Sequence, residues 1–257
     1  MHAIDEIYTA RPFYGSRGMK WDLRDDYDIT ICRDHVRRLM RVMGLQAIYP
    51  RKIRPTSDPD ATHTIYPYLL RGVKATHPNH IWGTDITFIR LEHGFAYLMA
   101  IMDWYSRYVL SWELSETLEA NFCIAALERA LTIATPEIHN SDQGSQFTSA
   151  TYVSLLQNNG IQVSMDGRGR CMDNIFTERL WRTVKYEHVY LHSYQDINEA
   201  RGCLADYFSF YNTKRRHQSL NNQTPASLYY GAEIQKLKVE TKKRPPAVLS
   251  KLSTFTV

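Results

Sequence analysis

The sequence has little that would export the chain, anchor it or lock it covalently. No stretch approaches the roughly 18 apolar residues that a membrane helix needs, and charged residues interrupt the first thirty positions, leaving no signal-peptide core. Only four cysteines occur, Cys32, Cys123, Cys171 and Cys203, far apart and without a C-x-x-C pair. That spacing argues against a disulfide framework and against a zinc ribbon. A cytoplasmic protein with reduced thiols is expected. Excess charge is scarce too: 31 Lys and Arg against 27 Asp and Glu leave a net +4.

The distribution of that charge is more informative than its sum. Residues 1–54 carry 11 basic against 7 acidic side chains, residues 80–190 carry 8 against 13, and residues 191–257 carry 10 against 5. An acidic middle between basic flanks suits a metal-dependent site carried by segments that hold a polyanion. The 257 residues, 44% of them hydrophobic, suffice for one to two domains. Pro50, Pro55, Pro59, Pro67 and Pro78 mark residues 50–79 as a proline-rich connector.

Ahead of the connector, residues 1–49 read as three short helices, the third running from an N-cap at Thr30 to about Met43, with Gly44 as its stop. In it Cys32, Val36, Leu39, Met40 and Met43 form one apolar stripe, and Arg33, Arg37 and Arg41 form a separate row with Arg38 beside it. Three helices ending in an arginine-rich one resemble a helix-turn-helix module whose last helix meets DNA. A solvated basic face is the plainer reading of the same row.

Residues 80–212 read as an α/β core. Three apolar runs, 81–91, 95–102 and 107–114, are joined by links short enough for antiparallel neighbours, and the first is apolar on both parities, as an interior strand is. Helical spacing follows from Leu118 to Ile133, then a short strand from Glu137 to Asn140, a helix from Thr151 to Asn158 stopped by Gly160, and a strand from Ile161 to Met165. Two further helices are expected, from about Asp173 to His188 and from about Gln195 to Tyr211. This order predicts a mixed five-stranded sheet with flanking helices. Residues 213–257 remain as a basic C-terminal segment.

Three carboxylates stand out in that core. Asp85 interrupts the interior strand, where an ionised side chain is costly unless it is paired or bound to a metal. Asp142 follows the short fourth strand and opens the polar turn Ser141 to Gln146, at the kind of strand edge where α/β sheets collect ligands. Glu178 lies on the helix from Asp173. With Glu178 at zero and about 100° per residue, Asn174 falls at about −40°, Lys185 at about −20° and Arg182 at about +40°, while Phe176, Leu180 and Val184 fall nearly opposite. One face therefore packs on the sheet and the other presents a carboxylate between two cations. On the helix alone, a surface Glu178–Arg182 pair worth roughly a few tenths of a kcal/mol explains the same residues.

Thirty-five residues separate Asp142 from Glu178, and the surrounding motifs are W-G-T-D-I-T at Asp85, S-D-Q-G-S-Q-F from Ser141 to Phe147, and D-N-x-x-x-E-R-L-W-R-T-V-K from Asp173 to Lys185. Together these resemble the three acidic signatures of the DDE transposases and retroviral integrases, and most of all the second-reading-frame proteins of bacterial insertion sequences. The likeness takes in residues 11–49 and 211–225, so it covers nearly the whole chain. It implies a ribonuclease-H-like catalytic core, with Asp85, Asp142 and Glu178 as catalytic metal ligands and Lys185 as the matching basic residue. The implied activity is DNA nicking and strand transfer at insertion-sequence ends, with no covalent protein–DNA intermediate. The His₂Cys₂ zinc module of retroviral integrases has no counterpart here; the basic helical segment stands in its place.

Three carboxylates without softer ligands suit a hard ion, so Mg²⁺ is the expected cofactor, with Mn²⁺ as a substitute. The resemblance implies two ions, with Asp85 bridging them and Asp142 and Glu178 completing one site each. It also implies double-stranded DNA as partner, both element ends and target, a homo-oligomer in the DNA complex, and nucleoid association while acting. Such proteins are often fused by frameshift to an upstream frame with its own coiled coil, and this chain has no long heptad repeat. The DNA contacts assigned are Lys185, Arg182, the loop residues Arg168 and Arg170, and Arg33, Arg37, Arg38 and Arg41. Two other readings stay open: a ribonuclease-H-like nuclease or junction resolvase that joins no strands, and a non-catalytic DNA-binding regulator.

Other eye-catching residues carry plainer roles. Asp103 opens the turn Trp104-Tyr105-Ser106, which an Asx side chain caps. His188 and His192 lack the further ligands that Zn²⁺ takes. Cys171 has no visible base to make it a nucleophile. Lys214, Arg215, Arg216 and His217 form a cluster that either binds DNA or solubilises.

Overall fold

The computed structural model describes residues 1–48, 66–166 and 175–231. Strand β1 (Ile81–Arg90) occupies the middle of a five-stranded sheet of spatial order β3-β2-β1-β4-β5. β2 (Phe95–Asp103) and β3 (Val109–Ser115) follow it antiparallel, while β4 (Ile138–Ser141) and β5 (Gln162–Met165) add in parallel on its other side. The short links permit only antiparallel neighbours, whereas parallel ones need crossovers. Helices α4 (Ala120–Leu131) and α6 (Ala150–Asn158) lie in those crossovers. The sheet expected from the sequence is the one observed.

Strand parity divides β1 between two cores. Ile81 and Ile89 face Leu98 and Ala100 of β2, Leu180, Trp181 and Val184 of α7 (Ile175–Glu187), and Leu204 and Phe208 of α8 (Ile197–Thr213). Trp82 faces the opposite layer with Met99, Ile101, the α4 residues Phe122 and Ala126, and Tyr152 of α6. Each large apolar side chain withdrawn from water contributes about 1.5–3 kcal/mol. A one-residue slip would exchange the two faces, so the two cores fix the register. A four-residue helix, α5 (Ser145–Thr148), not expected from the sequence, continues the turn after Asp142. Asp103 caps its turn as read: Oδ1 accepts from the Asn79 N–H at 2.9 Å and Oδ2 from the Ser106 N–H at 2.7 Å.

The N-terminal helices α1 (His2–Ala10), α2 (Ser16–Tyr27) and α3 (Arg33–Val42) enclose a small core of Ile4, Ile7, Met19, Leu23, Val36 and Met40. α3 begins after Cys32 rather than after Thr30, which leaves Cys32 exposed and centres the buried stripe on Val36 and Met40. This module packs on α8, with the rings of Phe13 and Tyr14 at 6.4 and 6.3 Å from Phe210. Residues 213–231, read as part of a basic tail, fold onto the core through a 3-10 turn at Gln218–Leu220 and α9 (Pro225–Tyr229). Arg215 bonds Glu187 at 2.6 Å, and Arg216 bonds Asp25 of α2 at 2.9 Å, so both have structural partners. Among the described residues no helix is long and apolar enough to cross a membrane. Arg168, Arg170, Cys171, connector residues 50–65 and the chain beyond 231 lie outside the described residues.

Candidate active site

β1 and β4 run parallel with Gly83 beside Asn140, and β4 and β5 with Ser141 beside Met165. Continued along the strands, these registers put Asp85 beside Asp142 and Asp142 beside Asp166, one row that lies just past the C-terminal ends of β4 and β5 and midway along β1. Adjacent strands lie about 4.8 Å apart, close enough for the carboxylates to repel one another.

Asp85 is half-buried and held at both oxygens. The Ile86 N–H donates to Oδ1 at 2.8 Å, and the Trp181 indole N–H donates to Oδ2 at 3.0 Å. Burial, with the like charges of Asp142 and Asp166 adding to it, pushes this carboxyl up to about 7 against the pull of the two hydrogen bonds. Asp142 Oδ1 accepts from the Gly144 N–H at 2.9 Å, which orients the carboxylate in an Asx-type turn. Desolvation raises Asp142 as well, although the residue stays exposed at the rim. Asp166, not singled out from the sequence, accepts from the Asn140 amide at 2.8 Å. Its place directly after a strand, the position that Asp142 holds after β4, is the signal that was there to find.

Parity also explains how α7 reaches this edge. Gly83 and Asp85 share one face of β1, and a methyl group on Gly83 would run into the Trp104 indole nitrogen and stand 3.0 Å from the Thr177 hydroxyl. Glycine thus lets the first turn of α7 lie close on the strand, with Thr177 fully buried. Trp181, one turn further on, then meets Asp85. Glu178 is exposed between them on the helix surface. Among the described residues no three His, Cys, Asp or Glu side chains are gathered closely enough to hold a metal ion. The structure brings Asp85 and Asp142 together and sets Glu178 on the adjoining helix face.

Residues 75–171 and 159–225 match integrase core domain families, and residues 1–52 match an HTH-like domain family. A transposase for insertion sequence element IS904 of Lactococcus lactis subsp. lactis is 32% identical over 202 residues, spanning 74% of this chain and 77% of its own length. A transposase for IS629 of Shigella sonnei is 30% identical over 227 residues, 87% of this chain and 76% of its own. The chain belongs to the insertion-sequence transposases. Its fold is shared with the cryoEM structure of a simian T-cell lymphotropic virus intasome in complex with PP2A regulatory subunit B56 gamma, at a TM-score of 0.55 and 15% identity, covering 99% of this chain and 80% of the other.

Among the described residues, the basic side chains assigned to DNA contacts lie on two helices of the transposase, α7 and α3. Lys185 is half-buried on α7; burial lowers its amine, and the nearby Asp85 charge pulls it back up. It therefore lies within electrostatic reach of the acidic row. Arg182 is exposed, with its guanidinium 5.8 Å from the Tyr186 ring centroid. On α3, Arg33, Arg37, Arg38 and Arg41 are all exposed; Arg33 pairs with Asp34 at 3.0 Å and Arg38 touches His35 at 3.4 Å.

Proposed function

We propose that this transposase performs Mg²⁺-dependent nicking and strand transfer at its element's ends, with Asp85, Asp142 and Glu178 as the metal-holding carboxylates. The observation that carries this reading is the side-by-side placement of Asp85 and Asp142, whose mutual repulsion a hard cation relieves. Glu178 offers a third oxygen donor one helical turn from the Trp181–Asp85 contact. Asp85 with Asp142 would hold one ion and Asp85 with Glu178 a second. Bound there, Mg²⁺ (or Mn²⁺) would neutralise charge at the scissile phosphate and favour ionisation of the attacking hydroxyl.

The chain's own groups set the geometry. Trp181 and Ile86 hold both oxygens of Asp85, and Gly144 holds one oxygen of Asp142, so these ligands are oriented before DNA arrives. In the first step water adds to phosphorus at the element end as the bond to the 3′ oxygen breaks, leaving a free 3′-hydroxyl. In the second, that hydroxyl adds to a target phosphodiester while a target 3′ oxygen leaves with a proton. One phosphodiester replaces another, so joining needs no high-energy cofactor. Double-stranded DNA is the partner in both steps, held by a homo-oligomer, with an upstream-frame fusion as a further partner.

The test is an end duplex with a labelled 3′-hydroxyl incubated with plasmid target and Mg²⁺. Label joined to the plasmid is expected. Cleavage without any joined product would reassign the chain to a nuclease that joins no strands, and DNA binding without either reaction would make it a regulator.

A further inference from the structure

A cavity of about 860 Å³ opens between the helix-turn-helix-like domain and the catalytic core, on the other side of α7 from the acidic row. Seven arginines and two carboxylates line it. Both carboxylates are taken: Asp22 is bonded by Arg11, and Glu187 by Arg215. Arg216 is likewise engaged with Asp25, and Arg17 donates to Gln218 at 2.8 Å. Arg37 of α3 remains on one side, next to Arg33, which pairs with Asp34, and Arg107 and Arg179 of the core lie on the other. Neither Arg37 nor Arg179 has an ion pair or hydrogen bond among the described residues.

Arg107 is the unusual member. It sits in the turn between β2 and β3 at φ 65°, a left-handed conformation that disfavours a branched Cα. Its guanidinium donates to the Trp104 carbonyl and lies 3.4 Å from the Phe176 ring centroid, with no carboxylate in ion-pair contact among the described residues. Burial lowers Arg107 to about 10, with Tyr211 and the more distant charge of Asp103 pulling it back up and Arg179 adding to the fall, so it remains charged at neutral pH. A strained backbone that carries a desolvated cation to the wall of an arginine-lined cavity is a costly arrangement unless an anion completes it.

We propose that this cleft seats the phosphate backbone of one DNA strand, gripped by Arg107 and Arg179 from the core and by Arg33 and Arg37 from the helix-turn-helix-like domain. The proposal rests on the strand-transfer reading and deepens it by naming where the duplex enters. Around α7, Arg179 and Thr183 fall at about +100° and +140° from Glu178, and Trp181 at about −60°. Glu178, Arg182 and Lys185 form the ridge between. A strand leaving the cleft crosses one helix, about 10–12 Å wide, to reach Asp85. Shared phosphate contacts would also reinforce the packing of Phe13 and Tyr14 on Phe210 in setting the angle between the DNA-reading module and the site of chemistry.

The test measures DNA binding without divalent metal, so that it does not depend on the acidic site. Arg37→Gln, Arg179→Gln and Arg107→Gln are titrated with fluorescent end duplex and, separately, with random-sequence duplex, across a salt series. Each variant is expected to lower the slope of log K against log salt by about 0.9, one phosphate contact. Phosphate-ethylation interference on wild type and variants should show that R37Q and R179Q lose neighbouring phosphates on one strand. Loss confined to the end duplex assigns the cleft to element ends; loss confined to random sequence assigns it to target; loss with both makes it a seat for either. Unchanged slopes for R37Q and R179Q in both arms, or lost phosphates at opposite ends of the duplex, overturn the proposal. Because both side chains are exposed and unpaired, these two variants carry the test even where R107Q disturbs its turn. A wild type that binds neither duplex would defeat the strand-transfer reading itself, a different result from unchanged slopes.

Discussion

The indole N–H of Trp181 donates to Asp85 Oδ2 at 3.0 Å, joining the helix that bears Glu178 to the strand that bears the first aspartate. This bond links the two halves of the proposed metal site directly. Trp181→Phe keeps the ring packed in the core and removes only the donor. The Mg²⁺ concentration for half-maximal joining should rise about 10- to 100-fold, the usual effect of losing a group that orients a metal ligand, while end-duplex affinity stays unchanged. An unaltered Mg²⁺ titration would leave Trp181 as a packing residue only.

Asp85→Asn, Asp142→Asn and Glu178→Gln each remove a ligand charge at nearly constant shape. Joining and nicking should fall by roughly three orders of magnitude or more with DNA binding retained. The metal-free Asp85→Asn protein should also melt no lower than wild type, because burial and Asp142 already disfavour the aspartate charge. Near-normal joining by Glu178→Gln would remove the helix from the metal site and leave the two aspartates to hold it alone.

How much of this arrangement is legible in the sequence follows from the range of the forces involved. β1 reads as interior because both its faces are buried, and Asp85 stands out against that background. The Glu178 face of α7 follows from helical periodicity. Asp166 does not stand out, because its significance lies in a register between β4 and β5 that only tertiary structure fixes. Arg215 and Arg216 read as solubilising or DNA-binding charges, yet their partners Glu187 and Asp25 lie 28 and 191 residues away along the chain. The short helices α5 and α9 have too few residues for a periodic pattern.

The docking of the N-terminal domain yields a stability prediction. Phe210 meets Phe13 and Tyr14, with the Arg11 guanidinium 5.0 Å from its ring centroid. Phe210→Ala should cost about 2–4 kcal/mol, since an aromatic ring at a packed contact is lost. Limited proteolysis should then release residues 1–48 faster than from wild type, with the core fragment persisting. Equal cleavage rates would mean that Arg216, bonded to Asp25 and 4.7 Å from the Trp21 ring centroid, holds the domain without the aromatic cluster.

Two buried histidines set an acid limit. His139, whose Nε2 is 3.0 Å from the Tyr152 hydroxyl, is lowered by burial to about 3, and His188 to about 4 by burial and then by His192. Both folded values lie below the unfolded value of 6.5, so the unfolded chain binds protons first as pH falls. Their contribution is complete above pH 6.5 and is lost progressively toward pH 3–4, at up to about 1.4 kcal/mol per pH unit for each histidine. Urea denaturation at pH 7, 6, 5 and 4.5 should show that fall, and His139→Gln should reduce its slope. A flat profile over that range, or an identical one for the variant, would show that His139 is protonated in the folded state.

Lys185 tests whether the family's basic residue serves DNA, metal or both. It lies two turns beyond Glu178 at nearly the same angle, about 10 Å along the axis, which suits a phosphate beside the scissile one better than the same metal. Its half-buried amine also feels the charge of Asp85. Lys185→Ala should therefore have two separable effects. Losing a phosphate contact lowers the salt slope by about 0.9 and weakens end-duplex binding, with part of the joining rate recovered at low salt. Losing a positive charge near the acidic row makes that row more attractive to a cation, so half-maximal Mg²⁺ should fall, opposite in direction to Trp181→Phe. Measured together, joining against Mg²⁺ at saturating DNA and affinity against salt separate the roles. A changed slope with unchanged Mg²⁺ demand would make Lys185 a phosphate contact alone. The reverse would make it an electrostatic neighbour of Asp85, and loss of all chemistry at saturating DNA and Mg²⁺ would place it among the catalytic residues.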